Sequence, residues 1–455
     1  MPPSPTLTAR VRAELARSKA LKAIGKRVEE GRVDVTGAAV EARALCLATL
    51  QDATKKRIAI VVPGDAAIDD FEASLRLFHH EARCVSAYPS PSLSPYQDLA
   101  PSLGVVRNEI RALGMLIDRS VEILIVPARA LFSRLPRPEE FASRVVRLAE
   151  GDELEMRELL ERMVENGFVR TDLVGEAGEF AFRGGILDLF PPNTAKPVRV
   201  ELFGDTIDSL KWFDVETQRS EEESGPVSIL PMSQFAVTKA MRSALARRLS
   251  LDFMDPLFKR DVSDKIDRLN ENGTFPGIEH YVPVAAETVS FLEYLDPAEW
   301  MFALIEPDQI TTNVAKFESV LRMEYDAAAE KGRAVYPPEK LTTAGTAVLA
   351  FLDSARLAFS EVHVGGPSAA SRISKEEGSA NRSPSPRLRG EGGRRPDEGL
   401  GDSTGDAPHP HSASLRVSLS PQAGRGTSMG GGGAGGGRET AGGTQGVPVG
   451  WGGGG

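Results

Sequence analysis

Two runs of the chain, residues 58–62 (IAIVV) and 300–305 (WMFALI), are apolar throughout, and residues 121–126 (VEILIV) are broken only by Glu122. Runs of this length, ended by Pro63, Pro127 and Glu306-Pro307, fit strands of a parallel sheet covered on both faces. Residues 66–79 between the first and last of these read as a helix, so residues 21–145 predict alternating helix and strand, the signature of α/β layering. The Pro- and Ser-rich stretch 88–101 predicts a long loop. A different periodicity governs residues 180–220. There, three β-rich runs are separated by Pro191-Pro192-Asn193 and by Gly204-Asp205, which predicts an antiparallel meander. In its middle run Val198, Val200 and Leu202 fall on one face, and Arg199, Glu201 and Phe203 on the other, because successive strand residues point to opposite sides. The apolar face serves a core, which leaves Phe203 as a spare aromatic beside arginine. That composition is typical of protein-binding hot spots; packing of Phe203 under a loop or a neighbouring domain is the alternative. A helix over 153–165, with Leu154, Leu159, Leu160, Met163 and Val164 on its apolar face and Asn166-Gly167 as its C-cap, precedes the meander.

Helices are also predicted over 241–251 and 310–331, the latter capped by Thr311 or Thr312, with short strands over 348–352 and 362–364. The chain thus divides into a polar leader (1–20), a first α/β part (21–145), an α+β unit (146–232), a second α/β part (233–365) and a Gly/Ser/Pro/Arg-rich tail (366–455) that predicts disorder. The tail's composition also suggests a frameshifted or read-through extension.

Composition narrows the classes. A net charge of −10 over 455 residues argues against a chain-wide nucleic-acid surface. The two cysteines, Cys46 and Cys84, have no metal-ligand spacing and fit a reducing, cytoplasmic setting. His79-His80 reads as a solvated helix end rather than a metal site. No apolar run is long enough to predict a membrane span.

The segments FRGGILDLFPP and FDVETQRS, with PSPSLSPYQDLAPSLGVVRNEIRALGML before them and FPGIEHYVP after, resemble the partner-binding domain shared by the excinuclease protein UvrB and bacterial transcription-repair coupling factors, and the flanks resemble the coupling factors. The resemblance spans residues 20–360. It implies a degenerate, helicase-like parallel-sheet fold of the P-loop NTPase type with the small antiparallel domain inserted, and a role in recruiting the excinuclease protein UvrA during nucleotide excision repair. It places the contact residues on Arg183, Arg199 and Phe203. Gly184-Gly185 suggests a bulge or close backbone approach that would aim Arg183 outward. The tyrosine-rich DNA-gripping hairpin of UvrB is expected to be absent, with only Tyr88 and Tyr96 in its region.

No G-x-x-x-x-G-K-[ST] motif occurs in the chain. At the matching place, aligned on Thr36 and Gly37, Val40 stands where the phosphate-binding lysine belongs and Glu41 where the Mg²⁺-binding hydroxyl belongs. Asp34 replaces a phosphate-facing glycine, so two carboxylates approach a would-be triphosphate and the cation is missing. No cofactor is expected in this chain. ATP and Mg²⁺ belong to translocase domains further along the family's sequence, as do contacts with RNA polymerase and DNA. The expectation is therefore a recruitment module and not an enzyme. An ATPase akin to UvrB and a non-functional truncated product are the alternatives.

Overall fold

The computed structural model describes residues 14, 17–79, 81–91, 94–97, 99 and 101–361. Most of the expected polar leader, the expected strand over 362–364 and the expected disordered tail lie outside the described residues.

After a helix Lys19–Glu30 the chain runs through β1 (Val33–Thr36), the helix Val40–Thr54, β2 (Arg57–Val62), the helix Ile68–Phe78, β3 (Val85–Ala87), the helix Leu103–Ile117 and β4 (Ile123–Pro127). Next come β5 (Arg134–Leu135), the helix Pro138–Arg144, β6 (Val146–Leu148), the helix Met156–Glu165, β7 (Val169–Arg170) and the antiparallel run β8 (Glu179–Arg183), β9 (Ile186–Leu189), β10 (Val198–Phe203), β11 (Thr206–Phe213) and β12 (Ser220–Glu223). β13 (Val227–Ile229) returns the chain to the body. There the helices Lys239–Asp252 and Lys259–Asn272 precede β14 (Val289–Ser290), β15 (Trp300–Ile305), the helix Pro307–Glu330, the helix Gly345–Leu352 and β16 (Leu357–Ser360).

β1, β16, β15, β2, β4 and β3, in that spatial order, form one all-parallel sheet. Strands from both ends of the described chain therefore share a sheet, residues 128–299 lie outside it, and the segment from β6 to β13 is a separate excursion from the body. The apolar runs explain the layering. Ile58, Ile60 and Val62 point into one core with Cys46, Leu47 and Phe71, while Ala59 and Val61 point into the other with Ile110, Leu113 and Val348. A strand buried on both faces needs apolar residues at both parities, which is why the runs do not alternate.

The excursion is a six-stranded sheet ordered β12, β11, β10, β9, β8, β7, antiparallel except for the β7–β8 pair. Its inner face (Phe180, Leu187, Leu189, Val198, Val200, Leu210) packs on Leu159 and Met163 of the helix Met156–Glu165. β6 and β13 pair antiparallel at its root, where the chain enters and leaves.

Several expectations are corrected. The helix expected over 153–165 starts at Met156, capped by the Glu155 carboxylate, and Glu153 instead bridges to Thr206. Residues 348–352 are helical, with Val348 and Leu352 buried four residues apart on one helix face; a short apolar run does not distinguish the two structures. Thr311 and Thr312 do not cap their helix. Glu306 occupies that position with φ 54°, Pro307 follows, and the threonine hydroxyls donate to the carbonyls of Pro307 and Asp308 at 3.0 and 2.8 Å. Residues 239–285 form a helical layer with its own core of Leu245, Leu249, Leu269, Phe275 and Tyr281, so among the described residues the second α/β part contributes two strands to the main sheet. His79 is buried rather than solvated, its Nε2 3.1 Å from a Glu122 carboxylate oxygen.

Candidate protein-binding face of the insert

Of the bulge or close backbone approach expected at Gly184-Gly185, the second is found: the pair is a two-residue hairpin turn, and Gly185 O accepts from the Leu202 N–H at 2.9 Å. Both glycines have positive φ (58° and 85°), as a tight turn between antiparallel strands with right-handed twist requires. The hairpin sets the register of the outer face. Arg183 pairs with Ile186, Ile186 with Glu201, and Glu201 with Ser209. One row inward, Ala181, Asp188, Arg199 and Lys211 line up in the same way. Directly paired residues share a face, so Arg183, Ile186, Asp188, Arg199 and Glu201 stand on the face opposite the core. The extra residue in β11 between Ile207 and Ser209 is a bulge, and Phe203 then pairs with Thr206 at the sheet's end.

The three sequence-predicted contact residues differ in what surrounds them. Phe203 is 83% exposed. Arg183 is exposed, and no ion pair or side-chain hydrogen bond of its guanidinium occurs among the described residues. Arg199 is already engaged. Its Nε and Nη2 donate to the two oxygens of Asp188 at 2.7 and 2.9 Å, and its Nη1 donates to Gln218 O and Ser220 Oγ at 3.2 and 3.3 Å. Its guanidinium lies 4.9 Å from the centroid of the Phe213 ring. Beneath this clamp Val174, Ala181, Phe190 and Phe213 form a small second core. Part of the outer face is therefore covered by the chain's own loops, while Arg183, Ile186 and Phe203 at its other end are exposed. The Asp188 hydrogen bonds, foremost, raise the Arg199 pKa further, so the guanidinium stays charged. Beside it, hydrogen bonds from Lys211 (2.7 Å) and Ser209 (2.8 Å) hold the Glu201 carboxyl below its usual range.

Ile186, 39% exposed between Arg183 and Glu201, does not stand out in the sequence. Reading Gly184-Gly185 as a hairpin would have found it, because the residue closing a two-residue turn sits opposite the residue opening it.

The suspected phosphate site has the strand–loop–helix order of a nucleotide cradle but little room. Only Gly37, Ala38 and Ala39 separate β1 from the helix Val40–Thr54, too few to wrap a phosphate as the longer glycine-rich loop does. Gly37 takes φ 76° and donates its N–H to Ser360 O at 2.9 Å. Asp34 pairs with Arg32 at 3.3 Å, Thr36 and Glu41 are exposed, and Val40 opens the helix. Arg43 of that helix donates to Ala38 O at 2.7 Å and pairs with Glu306 at 2.8 Å, both side chains nearly buried. A cation and an anion of the protein itself thus meet beside the loop. Tyr88 and Tyr96 are core anchors: the Tyr88 hydroxyl accepts from Gln234 at 3.1 Å and the Tyr96 hydroxyl donates to Tyr336 O at 3.0 Å. Among the described residues no group of three His, Cys, Asp or Glu side chains is placed to hold a metal, and no helix is long and apolar enough to cross a membrane.

Residues 146–235, which hold the six-stranded insert and its β6–β13 root, match the UvrB interaction domain family. The chain is similar to transcription-repair-coupling factors. That of Haemophilus influenzae is 26% identical over 302 residues, covering 66% of this chain and 26% of the relative. That of Bacillus subtilis is 27% identical over 296 residues (61% and 24%), and that of Staphylococcus aureus USA300 is 29% identical over 233 residues (51% and 20%). The chain thus spans about a quarter of the length of the coupling factors it matches.

Proposed function

We propose that this chain is a recruitment module in transcription-coupled nucleotide excision repair, and that the open end of the insert's outer face binds the excinuclease protein UvrA. The observation that carries the reading is the exposure of both Phe203 and Arg183 at one end of the insert's outer face, within the segment that matches the UvrB interaction domain. An exposed aromatic ring and an exposed guanidinium on the same face give a partner both an apolar anchor and a planar, bidentate donor. The fitting partner surface has an apolar pocket rimmed by carboxylates. Arg183, Ile186 and Phe203 make the contacts. Arg199 acts at one remove, by holding the loop around Gln218 and the edge strand β12 in place.

The module works without a nucleotide of its own. The short loop after β1, the acidic side chains of Asp34 and Glu41 and the Arg43–Glu306 pair all disfavour a bound triphosphate. ATP-driven movement and contacts with RNA polymerase and DNA fall to other parts of the coupling factors, and the setting is cytoplasmic.

Calorimetric titration of UvrA into the full chain tests the binding. Phe203→Ala and Arg183→Ala should each weaken it by about 1–3 kcal/mol. Wild-type affinity in both variants would remove the proposal.

A further inference from the structure

The insert is joined to the body by two chain crossings, and the side chains around them form a grip on one helix. At the entry, Arg144 donates to Asn166 Oδ1 (3.2 Å), Gln234 O (2.8 Å) and Ser233 Oγ (3.2 Å), while Asn166 Nδ2 donates back to Arg144 O at 2.8 Å. Arg144 and Asn166 are both buried, so this node ties the entry to the exit.

The helix Leu103–Ile117 of the body lies between further contacts. Arg107 donates from Nε to Pro192 O (3.4 Å) and from Nη2 to Thr194 O (3.3 Å), and sits 5.7 Å from the ring centroid of Phe190. Seven residues on, on the same side of the helix, Gly114 takes Leu230 against its backbone so closely that a Cβ there would overlap the leucine. Glu109 is two residues from Arg107, roughly 200° around the helix. Its buried carboxyl accepts from Gln234 Nε2 at 2.9 Å, and the same amide donates to the Tyr88 hydroxyl at 3.1 Å. The turn between β9 and β10, together with Leu230, therefore holds one side of the helix, and the Gln234 amide holds the opposite side.

We propose that the helix Leu103–Ile117 is a latch that fixes the orientation of the insert, with Arg107 and Glu109 as its two catches and the Arg144–Asn166 node as the pivot. The latch decides where the face carrying Arg183 and Phe203 points relative to the parallel sheet. Opening both catches leaves the pivot, the β6–β13 ribbon and the insert's own core intact, so the insert stays folded and swings. This holds whatever partner that face binds.

Distance measurement between spin labels tests the latch on the full chain. Labels go at Glu222→Cys on β12 and Lys316→Cys on the helix Pro307–Glu330, both exposed positions, with Cys46→Ala and Cys84→Ser removing the native thiols. The otherwise unchanged protein should give one narrow distance distribution. Arg107→Ala combined with Gln234→Leu should broaden or displace it, with the β8–β12 amides still protected from hydrogen exchange. Glu109→Gln, which keeps an acceptor for Gln234, should retain the narrow distribution. Superimposable distributions with and without the double substitution would overturn the latch, and so would a broad distribution before any catch is removed. Should the double variant misfold, Arg107→Ala alone decides: partial broadening supports the latch and no change refutes it.

Discussion

Arg199→Ala should unravel part of the insert rather than merely trim its surface. Asp188, the partner of Arg199, has a side chain only 5% exposed, and Arg199 itself is 17% exposed. Removing the guanidinium leaves a carboxylate inside the sheet with its bidentate donor gone and takes two hydrogen bonds from the segment 218–220. Breaking a buried pair from one side costs about 3–5 kcal/mol. The partial exposure of Arg199 places the loss near the lower end, at about 3 kcal/mol, which corresponds to a roughly hundredfold rise in local opening. Exposed Arg183 gives the contrast, since an alanine there should change stability by no more than about 0.5 kcal/mol. Hydrogen exchange of the full chain, followed by mass spectrometry of peptides over β9–β12, reads the difference directly. Arg199→Leu with Asp188→Leu should recover most of the protection, because no buried charge remains. If Arg199→Ala exchanges like the unmodified protein yet loses partner binding, the clamp contributes nothing and Arg199 is itself a contact residue.

Three further outcomes follow from groups elsewhere. Burial, foremost, pushes the Glu109 carboxyl up from 4.5 to about 8, so the folded chain holds a proton that the unfolded chain releases. The stability from this group is complete below about pH 4.5 and is lost as pH rises towards 8, with a limiting slope of about 1.4 kcal/mol per pH unit. Denaturant titrations from pH 5 to 8.5 should show a flatter decline for Glu109→Gln, and parallel curves would refute the assignment. Burial pushes the Cys46 thiol up to about 12, whereas Cys84 is partly exposed, so a thiol reagent should titrate Cys84 first and Cys46 only on unfolding. Equal reaction rates would contradict the packing of the helix Val40–Thr54. Millimolar Mg²⁺-ATP should leave the thermal unfolding midpoint unchanged, and a saturable rise of several degrees would restore a nucleotide site beside Gly37.

The parts of the fold that sequence conveys are those fixed by local pattern. Residues 58–62 and 300–305 read as doubly covered strands, and the parity of residues 198–203 places Phe203 opposite the core. What it withholds depends on distant partners. Arg199 looks free in the sequence because Asp188 reaches it from one distant segment and Gln218 and Ser220 from another, and no periodicity within β10 announces them. His79 looks solvated because its neighbour Glu122 precedes a strand 43 residues away. Part of Gly345–Leu352 reads as a strand because its residues are apolar on both sides of the helix as well as along it. The short loop after β1 is suspect from residue types alone, but the Arg43–Glu306 pair comes from the first and fifth strand–helix units and appears only once the sheet is assembled.

The strand order has a consequence for how the chain is made. Among the described residues β1 pairs with β16 alone, whose residues leave the ribosome more than 320 residues later, while the insert draws its sheet from one contiguous stretch. The insert can therefore mature on the nascent chain while the first strand waits unpaired for the last. A ribosome that stops short of Leu357 would release a finished insert on an unfinished body, with β1 and β15 both presenting open edges to their neighbours.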